Sequence, residues 1–224
     1  MIISLKSITK DLFSGDKKWT LGPIDLEIEK NSSLAIIGPS GSGKSTLLHL
    51  IGSLEQATKG KIIIANEQIN NLSEKSLRFF RAKKIGFVFQ DFFLFPEFTL
   101  LENVQMPLLI AKENRKTSQE KAKKALDEVG LIDRQNHFPC QLSGGQRQRG
   151  AIARAIAGKP EIIIADEPTG NLDQETGKKI ITLLKKLQKN YQATLLFATH
   201  DENLAKICEK QIKIIDGRLK IDLL

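Results

Sequence analysis

One stretch near the start of the chain has the residue types and spacing of a phosphate-binding loop. Residues 38–45 read Gly-Pro-Ser-Gly-Ser-Gly-Lys-Ser, a complete G-x-x-x-x-G-K-S pattern. Backbone N–H groups in such a loop converge on phosphate oxygens, and the following helix adds positive potential. Lys44 is expected to neutralise terminal phosphates, and Ser45 to ligate Mg²⁺. A chance glycine-rich turn is the alternative. The apolar run Leu34–Ile37 before the loop and the helical pattern Ser45–Ile51 after it favour the phosphate site.

Two carboxylates end another apolar run. Ile162–Ala165 is followed directly by Asp166 and Glu167. Unpaired charges beside a buried strand are unfavourable, so the pair suggests a function. Asp166 is expected to hold Mg²⁺ through water, and Glu167 to act as general base toward an attacking water. Taken alone, the pair fits a solvent-facing strand end, but the phosphate loop upstream favours the catalytic interpretation.

Gln90 and His200 also follow strand-like runs. Gln90 comes after Ile85–Phe89, and its amide is expected to reach the metal or the lytic water. His200 comes after Thr194–Thr199 and is a candidate donor to the γ-phosphate. A single Gln or His is usually structural. Ligands of parallel sheets, however, lie at the carboxyl ends of the strands, where all of these candidates are predicted.

A second glycine-rich turn opens another predicted helix. Residues 142–146 read Leu-Ser-Gly-Gly-Gln and contain no lysine. Ser143 offers a hydroxyl donor, and Gly144 and Gly145 let backbone amides approach an anion. An ordinary cap at Ser143 is the alternative, but it leaves the two glycines unexplained. One chain thus carries two phosphate-binding candidates and one anchoring lysine, which predicts half of a composite site completed by a second copy.

Strand and helix patterns alternate along most of the chain. Ile2–Ile28 alternates polar and apolar residues and predicts a small antiparallel sheet, and Lys61–Ala65 predicts another strand. The predicted helices are Glu102–Ile110, Ser118–Val129, Gln146–Ala157 and Glu175–Lys189, the last with Ile180, Ile181, Leu184 and Leu187 inward. Thr117-x-x-Glu120 predicts a capping box for the second helix, and Gly130 its end. Together the patterns predict an α/β fold with a mainly parallel sheet.

The chain length is that of one domain with lobes. We expect a single domain over 1–224. Its catalytic core with the β subdomain is predicted over about 1–90 and 160–224, and an inserted helical subdomain, which carries residues 142–146, over about 91–159.

Composition excludes several classes of protein. The fractions of hydrophobic residues (41%) and charged residues (27%) are typical of globular proteins. No apolar run reaches the ~18 residues that a membrane-spanning helix needs. Met1–Lys10 is unlike a signal peptide, so we expect a cytosolic protein with Cys140 and Cys208 as reduced thiols. The net charge of +8 arises largely from lysines that alternate with helix formers, which is typical of solvated helix faces. Nucleic-acid binding is not expected, whereas proximity to an anionic membrane remains open.

The order of these motifs carries a family resemblance over nearly the whole chain. The phosphate loop, Gln90, Leu-Ser-Gly-Gly-Gln, Ile-Ile-Ile-Ala-Asp-Glu-Pro at 162–168, Asn-Leu-Asp at 171–173 and Thr-His-Asp at 199–201 together resemble the ATPase subunits of ABC transporters. The resemblance implies a P-loop NTPase fold of the ABC-ATPase type and Mg²⁺-dependent hydrolysis of ATP to ADP and phosphate. It also implies a head-to-tail homodimer in the ATP-bound state. In that dimer, ATP lies between the phosphate loop of one copy and the Leu-Ser-Gly-Gly-Gln segment of the other, which is the signature of the family. Asp173 would then lie at the interface between the two copies.

The same resemblance assigns the individual site residues. Glu167, His200 and Gln90 are the expected catalytic residues, and Ser45, Gln90 and Asp166 the metal ligands. The trans signature is Leu142, Ser143, Gly144, Gly145 and Gln146. The expected nucleotide-binding residues are Gly38, Pro39, Ser40, Gly41, Ser42, Gly43, Lys44, Ser45, Thr46 and Phe13. Phe13 is the first candidate for stacking on adenine, and Trp19 is the second. Gly150 departs from the apolar residue usual at its position and either permits close packing or has no role.

Residues 88–110 are similar to the ATPase of the lipoprotein-releasing (LolD-type) system. This resemblance implies a permease partner and the release of lipoproteins toward the outer membrane. It also implies that the protein lies peripherally on the cytoplasmic face of the bacterial inner membrane. Gly-Asn-Leu-Asp at 170–173 also fits macrolide and peptide exporters and the cell-division ATPase. An ABC ATPase acting on DNA is disfavoured, because such proteins have a long coiled coil between their ATPase halves and this sequence shows none. A small-molecule kinase is disfavoured, because the insertion contains Leu-Ser-Gly-Gly-Gln instead of a lid that binds an acceptor.

Eight of the eleven phenylalanines lie between Phe79 and Phe98. Phe87 and Phe89 alternate with Val88 on a predicted strand and are expected to be partly core. Four others flank Pro96 in a predicted loop, which is a poor place to hide apolar surface. Because aromatic residues dominate protein interfaces, we expect the permease to dock near Phe92, Phe93, Phe95 and Phe98.

Overall fold

A computed structural model describes residues 1–15 and 17–220, and the chain divides into two compact units. Unit 1 contains Met1–Leu77 and the chain from Thr194 onward, and unit 2 contains Arg78–Ala193. The strands of the described residues are β1 Ile3–Ser14, β2 Lys17–Ile28, β3 Ser33–Ile37, β4 Lys59–Ile64, β5 Glu67–Gln68, β6 Ile85–Phe89, β7 Ile162–Asp166, β8 Thr194–Thr199, β9 Lys210–Ile215 and β10 Arg218–Lys220. The helices are α1 Lys44–Ile51, α2 Glu74–Lys84, α3 Leu100–Ile110, α4 Arg115–Glu128, α5 Gly144–Ile156, α6 Gln174–Tyr191 and α7 Glu202–Ala205.

Unit 1 combines an antiparallel sheet with a mainly parallel group of strands. The antiparallel sheet has the order β2-β1-β4-β5, which confirms the prediction for Ile2–Ile28. In the second group β3 lies between β8 and β9 and is parallel to both, and β10 is antiparallel to β9. Every residue of β3 is buried, as expected for a parallel strand covered on both faces.

Unit 2 contains the parallel pair β6 and β7 with most of the long helices. Helix α5 packs against β6, α3, α4 and α6. The predicted inward residues of α6 are each at most 4% exposed, which confirms the helical period: Ile180, Ile181, Leu184 and Leu187. Both units therefore agree with the predicted α/β class.

Several boundaries differ from the sequence prediction. Helix α4 begins at Arg115 because Asn114 is its N-cap, with Asn114 Oδ1 accepting from the Thr117 N–H at 2.9 Å. The predicted capping box at Thr117 is therefore wrong, and asparagine is in fact among the preferred N-cap residues. The predicted helix end is confirmed, since Gly130 adopts a left-handed φ of 67° directly after the C-cap residue. Helix α2 and strands β9 and β10 were not predicted.

Gly150 has a packing role on α5. A Cβ atom at this position would lie 2.6 Å from Leu100 Cδ1, at the start of α3. The missing side chain therefore allows α5 and α3 to approach closely, which decides between the two alternatives that the sequence left open.

In the described part of the chain, no helix combines the length and apolar character needed to cross a membrane. Cys140 is exposed, Cys208 is buried, and neither belongs to a disulfide within the described residues.

Candidate functional site

The glycine-rich loop of unit 1 connects β3 to α1. Gly41 and Gly43 have φ values of 75° and 107°, a region that other residues rarely adopt. Gly43 is the N-cap residue of α1, and the first turn of that helix contains no acidic residue. The helix therefore presents its backbone N–H groups and positive dipole end without a competing carboxylate, which suits an anion.

Two side chains of the loop add to its affinity for phosphate. Lys44 is only 4% exposed, and its Nζ donates to the carbonyls of Gly38 and Pro39 at 2.9 and 3.0 Å. The Ser42 hydroxyl is buried and has no hydrogen-bond partner among the described residues. A buried ammonium and an orphaned hydroxyl beside a helix N-terminus are the donors that a triphosphate needs. Ser45 is exposed on the first turn of α1, and Thr46 is half-buried.

Trp19 packs directly against this loop. A Cβ atom on Gly43 would lie 2.8 Å from Trp19 Cη2, and one on Gly217 would lie 3.0 Å from Trp19 Cζ2. The indole thus supports the loop and the β9–β10 turn. Phe13, the other predicted adenine contact, is 72% exposed, so its ring is accessible for stacking. The assignment of Phe13 to adenine stays a prediction.

His200 lies at the same edge of its sheet as the phosphate loop. The parallel register of β3 and β8 pairs Ile37 with Thr199, so Gly38 and His200 follow the two strands side by side. The His200 side chain is exposed. Unit 1 thus brings together the loop and the predicted γ-phosphate donor.

Unit 2 brings together the remaining catalytic candidates. The register of β6 and β7 pairs Phe89 with Asp166, so Gln90 and Glu167 are the next residues at one sheet edge. Glu167 has a φ of 43°, unusual for a residue with a side chain. Such strain clusters at functional sites, where the surrounding structure holds it in place.

Asn171 binds Gln90 through both of its amide atoms. Gln90 Nε2 donates to Asn171 Oδ1 at 3.2 Å, and Asn171 Nδ2 donates to the Gln90 carbonyl at 3.2 Å and to Asp91 Oδ1 at 2.8 Å. In the sequence, Asn171 is recognisable only as part of the Asn-Leu-Asp motif at 171–173. Its contacts assign it a direct role in orienting the Gln90 amide.

The signature turn begins α5 with a complete capping box. Ser143 Oγ accepts from the Gln146 N–H at 3.3 Å, and Gln146 Oε1 accepts from the Ser143 N–H at 2.8 Å. The cap uses an oxygen lone pair and leaves the Ser143 O–H able to donate. A Cβ atom on Gly145 would lie 2.8 Å from Thr176 Cγ2, so this glycine also allows α5 to pack on α6.

Asp173 is the N-cap residue of α6 and is exposed. Its Oδ1 accepts from the Thr176 N–H at 2.9 Å, and hydrogen bonds from the backbone and then the hydroxyl of Thr176 lower the pKa of its carboxyl group. Its position at a dimer seam stays a prediction.

The predicted metal ligands have suitable chemistry. Among the described residues no three His, Cys, Asp or Glu side chains form a metal-binding group. In nucleotide sites Mg²⁺ is usually bound through one or two carboxylates and other oxygen ligands, together with phosphate oxygens and water. The hydroxyl, carboxylate and amide oxygens of Ser45, Asp166 and Gln90 fit that requirement.

Comparisons with known proteins agree with these features. The sequence family described as ABC transporter matches residues 21–170. The chain is 43% identical over 220 residues, 98% of this chain and 85% of the relative, to the lipoprotein-releasing system ATP-binding protein LolD of Colwellia psychrerythraea. It is 39% identical over 220 residues, 98% of this chain and 96% of the relative, to the uncharacterized ABC transporter ATP-binding protein YbbA of Escherichia coli K12. A solved dimeric structure of the cassette MJ0796 of Methanocaldococcus jannaschii, in a post-hydrolysis state with ADP and Pi, matches with a TM-score of 0.89, 42% identity and 98% coverage of both chains.

Proposed function

The chain belongs to the ABC transporter family, and on that premise we propose that it is the ATP-hydrolysing subunit of a membrane transport complex. The observation that carries the proposal is the phosphate loop itself, in which the buried Lys44 ammonium and the Ser42 hydroxyl, which has no partner within the described residues, accompany the N-terminus of α1. The strained Glu167, next to the end of β7, supplies the candidate base.

The proposed reaction is hydrolysis of the γ-phosphate. Glu167 accepts a proton from water, the water oxygen bonds to the γ-phosphorus, and the bond to the β–γ bridging oxygen breaks, which gives ADP and phosphate. Lys44 neutralises the β- and γ-phosphates, and His200 donates to the γ-phosphate. Ser45, Asp166 and Gln90 would hold Mg²⁺, which would supply further charge neutralisation when bound.

The proposed active assembly is a head-to-tail homodimer in the ATP-bound state. The Leu-Ser-Gly-Gly-Gln signature offers the Ser143 hydroxyl and a helix N-terminus but no cation, so we assign it to the nucleotide held by the loop of a second copy. Asp173 is assigned to the seam. The solved MJ0796 cassettes are dimeric, which supports this assignment.

The proposed transport process is the release of lipoproteins from the bacterial inner membrane toward the outer membrane. The named LolD relatives support it, including one from Syntrophus aciditrophicus at 45% identity. The chain would then lie on the cytoplasmic face of that membrane, bound to permease subunits. Capture of the membrane partner by the tagged chain, followed by its identification, tests this process.

The purified chain is expected to release phosphate from ATP without forming a phosphorylated acceptor, because water is the proposed nucleophile. Light scattering during turnover should detect a dimer that requires ATP. A fully active preparation that contains only single subunits throughout the cycle would overturn the composite site, and a phosphorylated product would identify a kinase instead.

The loop between β6 and α3 presents ordered apolar surface in unit 2. Phe93, Phe95 and Phe98 are 60%, 47% and 39% exposed, as the sequence predicted, whereas Phe92 is half-buried with Arg147 over its ring. An exposed and contiguous aromatic surface is typical of an interaction site. We therefore assign this surface to permease docking.

Asn103 and Arg154 hold that loop in place through hydrogen bonds to its main chain. Asn103 is fully buried, accepts from the Phe95 N–H at 2.7 Å and donates to the Phe95 and Phe98 carbonyls at 3.1 and 3.0 Å. The Arg154 guanidinium donates to the Phe92 and Phe93 carbonyls, and its burial lowers its pKa to about 10. Anchoring of this kind preorganises a docking surface and reduces the entropy lost on binding.

Replacing Phe93 and Phe95 together by alanine is expected to lower permease-stimulated ATPase activity by about tenfold or more, since aromatic anchors dominate interface energies. Basal ATPase and ATP affinity should stay within about twofold, because neither ring belongs to the proposed nucleotide site. Phe138→Ala is the matched control, as Phe138 is 41% exposed in the same unit but lies outside this loop. Equal loss of stimulated and basal activity would indicate a folding role instead.

A further inference from the structure

Gln148 occupies an unusual position for a polar side chain. It lies on α5, five residues beyond the cap at Ser143, and is completely buried. Its Nε2 donates to two main-chain carbonyls, that of Phe89 at 3.2 Å and that of Pro168 at 2.5 Å. Its Oε1 is buried and unpartnered within the described residues. One amide group therefore joins α5 to two other segments of unit 2.

Both of those carbonyls adjoin a proposed catalytic residue. Phe89 is the last residue of β6 and directly precedes Gln90, while Pro168 directly follows Glu167. Glu167 has its left-handed φ at the start of a turn that is closed by the Gly170 N–H donating to the Glu167 carbonyl at 3.0 Å. The bond from Gln148 holds the Pro168 carbonyl, which is the next carbonyl in that turn. It therefore restrains the backbone next to Glu167.

The arrangement combines an unsatisfied acceptor with two donated bonds. A buried amide oxygen without a donor is unfavourable, whereas the donated bonds satisfy two main-chain carbonyls. The two donated bonds do something that an apolar side chain cannot do, because they set distances between α5 and the backbone beside Gln90 and Glu167. Catalytic geometry is sensitive to displacements of less than 1 Å, which such bonds can prevent.

We propose that Gln148 is a positioning residue that couples the signature helix to Gln90 and Glu167. The inference rests on the proposed function, in which those two residues act at the γ-phosphate. Helix α5 begins with the signature turn, so the Gln148 amide links a shift of that turn on nucleotide contact to both catalytic segments. The coupling is confined to unit 2 and involves the two bonds that Gln148 donates.

The test is Gln148→Met, which keeps the length and approximate volume of the side chain and removes both donors. We expect kcat for ATP hydrolysis to fall about 10- to 100-fold, because the Glu167 turn and the Gln90 backbone lose their common restraint. KM for ATP should stay within about threefold, since the bonds that Gln148 donates lie within unit 2, whereas the phosphate loop belongs to unit 1. Steady-state phosphate release measures both values, and circular dichroism with thermal unfolding reports the fold.

Gln188→Met is the matched control. Gln188 is also in unit 2, is 3% exposed, and donates through Nε2 to the Ala193 carbonyl at 2.9 Å. The same chemical change is thus made at a buried amide on α6 whose bond to the Ala193 carbonyl lies outside the proposed catalytic segments. Its kcat is expected to stay within about twofold of the parent, whatever its effect on stability.

A selective loss of kcat in Gln148→Met, with the control unaffected, supports the proposal. It is overturned by parental kcat in Gln148→Met, by equal losses in both variants, by parallel changes in kcat and KM, or by a variant that does not fold. Glu167→Gln separates this proposal from the proposed function. If Glu167→Gln keeps parental turnover, the assignment of Glu167 as the base in the proposed function is wrong. If Glu167→Gln is inactive while Gln148→Met is parental, only the positioning role is wrong.

Discussion

Glu167→Gln is expected to reduce ATP turnover by about 10²- to 10⁴-fold, the usual contribution of a positioned general base. The substitution keeps the size of the side chain and removes its ability to accept a proton at neutral pH. ATP binding should survive, because the phosphate loop of unit 1, with Lys44 and Ser42, is unchanged. Binding without hydrolysis should then accumulate an ATP-bound dimer, since the proposed cycle uses hydrolysis to reopen it.

Single-turnover phosphate release, nucleotide retention on gel filtration and light scattering together measure this result. Glu175→Gln is the matched control, because Glu175 is an exposed carboxylate on α6 whose ion pair with Lys179, at 2.7 Å, contributes little to stability. The control should keep parental turnover. Parental turnover in Glu167→Gln itself would show that another group activates the water.

Lys44→Ala is expected to weaken ATP binding about 10- to 100-fold, the effect of losing a charge-assisted contact of 1.5–3 kcal/mol. The Lys44 ammonium is buried against the Gly38 and Pro39 carbonyls, so its removal takes the positive charge from the loop and leaves both carbonyls without their donor. Turnover at subsaturating ATP should fall in proportion.

The single tryptophan of the chain offers a direct measurement. Trp19 packs against Gly43, so its fluorescence should report occupation of the loop and give the dissociation constant for ATP. Lys61→Ala is the control, since Lys61 is an exposed lysine of the same unit on β4. Unchanged affinity in Lys44→Ala would contradict the assignment of this loop to phosphate. Together, Lys44→Ala and Glu167→Gln separate binding from chemistry, because only Glu167→Gln should bind ATP normally.

Much of the site could be predicted because its motifs are contiguous. In the phosphate loop, the left-handed φ values of Gly41 and Gly43 and the start of α1 at Lys44 depend on residues that are neighbours in sequence. The cap at Ser143 likewise requires only Gln146, three residues later. The buried face of α6 follows from its period of 3.6 residues. Such features need no information about distant parts of the chain.

Competing local signals explain the errors near helix ends. Asn114 and Thr117 are both good capping residues three positions apart, and the sequence offers no means to rank them. Helix α2 was not predicted, although its Leu77 and Phe80, three positions apart, are both buried.

The sequence by itself determined the family, the α/β class, the phosphate loop, the signature turn and the candidates that follow the strands, because each is encoded by adjacent residues or by a simple period. Only the tertiary structure decided what Gln148, Asn103 and Arg154 do, and why Gly145 and Gly150 lack side chains. The physical reason is that the three polar side chains bind main-chain carbonyls, which every residue possesses, and that the two glycines are defined by helices that approach from elsewhere in unit 2. Neither kind of partner can be recognised from the sequence alone.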